Sequence, residues 1–342
     1  MLISVQALRA LAAWVVVFHH FMQVFFSFEA SNWVEALFST RGQVGVDIFF
    51  VISGFVITVS TQGKRLSSPR FLIHRFIRVA PAYWLYTAIT ALVIVFASDV
   101  MPEYAFSVTG LLKSLLFIPA ENPAGYGYYP ILPVGWTLNF EMLFYLVFAL
   151  SLTLGRRYRL WAVVLSIIAI NTLFAHQPFL SSFYTDPIIF EFLLGVGLGV
   201  IHARRGLPEG RFWPPLAIAA SLGTILLFND PPGALRFVGW GLPSALLVIA
   251  VIGLESRIGG HRFFKAVGDW SYSTYLIHIL VLWPGHYLLT QRFGLNPYPA
   301  LALCVPLIAL LSWLSYELVE KRLSRGLKRW LPERQPRPAL AH

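Results

Sequence analysis

The feature that most constrains this chain is a succession of long apolar runs, each near the length of a helix that crosses a bilayer. They fall at about 5–26, 44–61, 79–98, 135–154, 160–175, 186–203, 214–229, 237–254, 271–291 and 300–320. A helix of about 20 apolar residues covers the ~30 Å hydrocarbon layer. Proline, glycine and polar stretches break the runs, among them Gln62 to Pro69, Pro119 to Pro133, Pro214-Pro215, Pro231-Pro232 and Asn296 to Pro299. Runs five and seven are short, so nine or eleven spans stay open beside ten. Only 12% of the 342 residues are charged, about half the share in a soluble domain, so the surplus apolar surface faces lipid. The expected fold is all-α, a polytopic transmembrane bundle over residues 1–325, with 326–342 as a basic tail that reads as a surface helix and a frayed end.

The basic residues fix the expected orientation. Twenty-one of the 26 Lys and Arg fall in alternate connections and the tail, for example Lys64, Arg65, Arg70, Arg75 and Arg78 after the second run. The opposite side holds four, Arg41, Lys113, Arg236 and Arg292, and Arg9 lies inside the first run. By the positive-inside rule the rich side and both termini are cytoplasmic. A net charge of +10 is then a matter of topology and anionic lipid, not of nucleic acid. The single Cys304 permits no intramolecular disulfide and reads as a small packed hydrophobe. The first run carries Arg9, is too long for a signal core, and no small-residue cleavage site follows, so no cleavable signal is expected.

The longest outer connection is 99–134. Its apolar run Leu111 to Ile118 is too short to span, and the residues leave interface or re-entrant placement open. The irregular segment Gly125 to Pro133 is a candidate cap over an outer cavity.

Ionisable groups inside spans cost ~2.5–3.5 kcal/mol or more, so each raises a functional question. They are Arg9, His19, His20, Asp47, Glu141, Glu191, His278 and Glu317. Arg9 and His20 are close to three turns apart and share a helix face, with His19 about 100° away. By rise per residue, His20, Asp47 and Glu141 reach a common depth some 5–8 Å outside the midplane, and a neutral imidazole beside a carboxylate suits a general base. Each also has a plain reading: a packed histidine for His20, an amide cap for Asp47, an interhelical bond for Glu141 with Tyr145 as partner. Arg75 and Arg78 share a face and are either phosphate grips or ordinary positive-inside charge. The small residues of Gly45 to Gly54 suit close helix packing. Interhelical bonding is the plain reading for Glu191, His278 and Glu317.

Taken in order, several segments resemble the acyltransferase 3 family of membrane-bound O-acyltransferases. These are Arg9-x10-His20, the Gly45–Gly54 block with Asp47, Arg75-x-x-Arg78 with Pro81-x-Tyr83, Trp136-Thr137-Leu138 with Glu141, Ser271-Tyr272-Ser273-x-Tyr275-Leu276-x-His278, and Tyr316-Glu317-x-x-Glu320 with Arg322. Arg322 stands where many members have proline. The resemblance implies ten helices in a bacterial inner membrane. It implies transfer of an acyl group, acetyl by default, from cytoplasmic acyl-CoA to a hydroxyl of an exopolysaccharide, O-antigen or other surface glycan, with no metal. It implies His20 as catalytic base with Arg9 as its partner, Asp47 and Glu141 as further site residues, and Arg75 and Arg78 on the CoA phosphates. Direct transfer needs no acyl-enzyme; Ser53 shows no adjacent base in the sequence. The competing class is a transporter or flippase for a lipid-linked sugar, which also suits buried charges.

Overall fold

The computed structural model describes residues 2–63, 66–177 and 180–329, and no strand occurs among them. Helices form at all ten apolar runs: α1 (Ile3–Phe26), α3 (Val44–Thr61), α4 (Ser68–Phe96), α6 (Trp136–Ser151), α7 (Arg156–Thr172), α8 (Glu191–Arg205), α9 (Trp213–Leu227), α10 (Ala234–Ile252), α11 (Arg262–Gly285) and α12 (Pro297–Ser315). Two short helices, α2 (Trp33–Arg41) and α5 (Val108–Leu115), lie in outer connections. Eight of the helices are long and apolar enough to cross a membrane. The other two runs are α9, with 15 residues, and α11, whose first turns carry Arg262, Lys265 and Asp269. The protein is a multi-pass membrane protein. Residues 330–342, most of the tail, lie outside the described residues.

Contacts at the two ends of the bundle agree with the charge alternation. At the basic end, Glu255 accepts the amides of Ile3 and Ser4 at 2.9 and 2.8 Å, capping α1 from the α10–α11 turn. Gln6 Nε2 donates to Asp269, and Ser324 Oγ to the Ile77 carbonyl. At the other end, Tyr298 donates to Glu35 and Arg41 Nε to the Leu226 carbonyl.

Lipid is as apolar as leucine, so helix association rests on close packing and polar bonds rather than on apolar burial. The Gly45–Gly54 block supplies the packing. A Cβ on Gly54 would lie 2.1 Å from the Phe192 carbonyl of α8, and one on Gly195 2.0 Å from the Val51 carbonyl of α3. A Cβ on Gly45 would strike the Ala12 carbonyl and the Val16 side chain, which sets the antiparallel register of α1 and α3. α5 and the residues after it re-enter the bundle. Trp84 Nε1 donates to the Leu115 carbonyl at 2.8 Å, and Phe117, at φ +57°, packs on Tyr83 and Phe76. Tyr83 is roughly 20 Å in from the outer end of α4, while Val108, Leu112 and Leu116 stay exposed.

Candidate active site

Three cavities follow one another from the basic face to the outer face. The inner one, about 500 Å³, is lined by Ser60, His74, Arg75, Arg78, Glu320, Lys321 and Arg325. A waist of about 120 Å³ comes next, bounded by Arg9, Ser53, Arg75, Arg78, Glu141, Tyr145 and Tyr275 with apolar side chains of α3. The outer cavity, about 830 Å³, is lined by His19, His20, Gln23, Gln43, Glu103, Tyr104, Tyr126, Tyr129, Trp136 and Asp230. Arg75 and Arg78 line both inner spaces; Val46 and Tyr275 line both the waist and the outer cavity. Tyr275 is pinned there, its hydroxyl donating to the Val134 carbonyl at 2.8 Å and 3.0 Å from Thr137 Oγ1.

The structure separates the residues that depth had grouped. Arg9, Arg75, Arg78 and Glu141 meet at the waist. Arg9 Nη1 donates to Gln6 Oε1 at 3.1 Å, Arg75 Nη2 to Ser60 Oγ at 3.0 Å, and the Arg75 guanidinium lies over the Phe71 and Tyr145 rings. Glu141 Oε1 accepts the hydroxyls of Ser53, at 3.0 Å, and of Tyr145, so the Tyr145 partner expected one turn on is present and Ser53 does have a carboxylate beside it. His20 opens to the outer cavity, beyond Val46 and Tyr275, although it shares a helix face with Arg9. Asp47 lines none of the three. It is fully buried and chelated by Arg236, Nε to Oδ1 at 3.0 Å and Nη2 to Oδ2 at 2.7 Å, with Gln43 also on that guanidinium. Neither amide capping nor a role beside His20 describes Asp47; it ties α3 to α10.

Reading by residue gave no site role to three groups, although His278 was expected to bond between helices and does so. Glu320 reaches the inner cavity because the backbone from Tyr316 to Leu323 winds as a π-helix, and its Oε1 lies 2.5 Å from Ser273 Oγ. Tyr275 and His278 sit in the motif of the ninth run, but nothing in the run tells which helix they face. Gly125 to Pro133 does cap the outer cavity, through Tyr126, Tyr129 and Pro133.

A basic inner mouth, a narrow polar waist and an aromatic outer chamber with an imidazole are the parts of a transfer site fed from two faces. The Acyl_transf_3 model, described as an acyltransferase domain, matches residues 2–317. The chain belongs to the acyltransferase 3 family. It is 35% identical over 258 residues to the exopolysaccharide production protein ExoZ of Rhizobium meliloti, covering 71% of this chain and 77% of that one. Acyltransferase MdmB of Streptomyces mycarofaciens is 29% identical over 85% and 81% of the two chains, and nodulation protein 10 of Rhizobium leguminosarum bv. viciae 27% over 94% and 93%. No solved structure matches the chain significantly. The protein is therefore a membrane acyltransferase, not the sugar transporter that buried charge alone also allowed. Among the described residues no cluster of three His, Cys, Asp or Glu side chains is arranged to hold a metal.

Proposed function

We propose that this acyltransferase takes its acyl group, acetyl by default, from acyl-CoA at the cytoplasmic mouth. It delivers the group to a hydroxyl of a surface glycan in the outer cavity, with His20 as general base, in the inner membrane of a bacterium. The observation that carries this reading is the pair of chambers of opposite character meeting at Val46 and Tyr275, with His20 on the outer side. The relative ExoZ, an exopolysaccharide production protein, points the same way. Tyr104, Tyr126, Tyr129 and Trp136 offer faces on which a sugar ring can pack.

Distances support different work for the arginines. Arg9 and His20 are eleven residues apart on α1, roughly 16 Å along the axis. An extended pantetheine arm has the same length, about 16 Å by the reach of a chain with that number of bonds. Arg75 stands farther in. From its partner Ser60 along α3 to Gly45, then along α1 from Val16 to His20, is roughly 28 Å. A diphosphate held by Arg75 and Arg78 alone leaves the thioester short of His20, whereas one drawn up to Arg9 reaches it. Arg75 and Arg78 thus recruit the donor, and Arg9 sets its depth. Glu141, bonded to Ser53 and Tyr145, holds a polar wall along the arm.

The acceptor hydroxyl loses its proton to His20 as its oxygen attacks the thioester carbonyl, and the departing thiolate takes that proton. The test is purified protein in lipid with labelled acetyl-CoA and candidate glycans. His20→Ala is expected to lower kcat by on the order of 100- to 10,000-fold with folding intact. Transfer at the wild-type rate removes His20 from the chemistry.

A further inference from the structure

A general-base histidine needs a partner for the charge it acquires, and the expected partner was a carboxylate. The structure gives His20 a second imidazole. His278 Nε2 lies 3.1 Å from His20 Nδ1, the ring centroids are 4.9 Å apart, and His278 is fully buried on α11. The carboxylates nearest in depth are engaged elsewhere, Asp47 with Arg236 and Glu141 with Ser53 and Tyr145. His19, the next imidazole along α1, is engaged elsewhere, its Nδ1 2.8 Å from the Phe38 carbonyl.

The protons in the pair are fixed by their neighbours. His278 Nδ1 lies 3.1 Å from the Thr274 carbonyl, which only accepts, so Nδ1 carries the hydrogen and Nε2 of the neutral ring is a bare lone pair. His20 Nδ1 faces that lone pair and the Val16 carbonyl at 3.0 Å, so it too carries its hydrogen, and His20 Nε2 is left free to take a proton. The Val16 carbonyl already serves the backbone of α1, whereas among the described residues no other donor is seen at the His278 lone pair. A neutral imidazole also avoids the cost of a fixed charge at this depth while the site is idle.

We propose that His278 is the positioning residue of acyl transfer, accepting the Nδ1–H of His20 and sharing the imidazolium charge that forms when His20 takes the acceptor's proton. The proposal rests on His20 being the base. In the step itself the acceptor O–H bond breaks and its proton goes to His20 Nε2. The acyl carbon–oxygen bond forms, the carbon–sulfur bond breaks, and the thiolate recovers the proton from Nε2, so no further reactant is needed.

The test compares His278→Leu, which keeps bulk without a lone pair, with His278→Gln, whose amide oxygen can accept. Expected for His278→Leu is a fall in kcat on the order of 100-fold with little change in either KM, and for His278→Gln a recovery of much of that loss. Equal kcat in His278→Leu and wild type, or equal loss in both variants, overturns the proposal. Should the leucine variant not fold, wild-type protein labelled with 15N-histidine decides: a scalar coupling across Nδ1–H···Nε2 is expected, and its absence overturns the proposal. His20→Ala separates the two levels. If it still transfers acyl groups, the base assignment fails and this proposal with it; if it is inactive while His278→Leu is not, only this proposal fails.

Discussion

The inner and outer chambers are built from the same helices, yet their walls differ in kind. The inner spaces hold Arg9, Arg75, Arg78, Lys321 and Arg325. The outer cavity is lined by tyrosines, a tryptophan, two histidines, Glu103 and Asp230, with no Lys or Arg among its described lining residues. The difference teaches that each face presents its own binding chemistry, one for an anion and one for a ring with hydroxyls, and that the chemistry belongs at the partition between them.

The largest expected effect tests what belongs to neither chamber. Asp47→Ala leaves the largely buried Arg236 guanidinium without its carboxylate, with only the Gln43 amide still bonded to it, which costs about 3–5 kcal/mol. Thermal unfolding in detergent is expected at a markedly lower temperature, with neither KM selectively altered in the protein that remains folded. A selective rise in one KM at unchanged stability assigns Asp47 to that chamber instead. Next, replacing Arg75 and Arg78 together by Ala is expected to raise the donor KM roughly 100-fold, each lost charged bond being worth about 1.5–3 kcal/mol before solvent compensates. The acceptor KM stays where it was; equal rises in both erase the distinction between chambers. Tyr126→Ala sharpens the outer side. A lost ring contact of about 0.5–1.5 kcal/mol predicts a three- to tenfold rise in acceptor KM alone, read from initial rates at saturating donor.

The smallest effect lies at the inner rim. Burial pushes the Glu255 carboxyl up, but the amides of Ser4 and Ile3 outweigh it and hold the group below its ordinary value. Its share of stability is therefore present above the usual carboxylate range and is lost as pH falls through the lowered value. Glu255→Gln is expected to cost about 1 kcal/mol, as for a lost helix cap, and to remove that acid dependence from the unfolding temperature. An unchanged acid limb refutes the assignment.

Much of this was legible in the residues. Run length gave the helices, and the Lys and Arg distribution gave two ends that the capping of α1 by Glu255 and the Ser324–Ile77 bond group in the same way. The arginine pair and Arg9 were identified, and they do share the waist. Depth alone misled for Asp47, because rise per residue places a group along an axis and says nothing of azimuth or neighbour. Asp47 turned to Arg236, and the place at His20 went to His278. Ser53 likewise found its carboxylate only across α3 and α6.

By itself the sequence determined what the bilayer enforces: helical spans of fixed length, which connections share an end of the bundle, and small residues where helices touch. These follow from local energies, the cost of an unpaired amide or a charge in hydrocarbon, which every residue meets regardless of its partners. Only the tertiary structure decided which side chains meet. That includes the re-entry of α5, the π-helical turn that brings in Glu320, the partition at Tyr275 and the His20–His278 pair. Those depend on which helices are neighbours and how each is rotated, and that is settled by packing summed over the whole bundle.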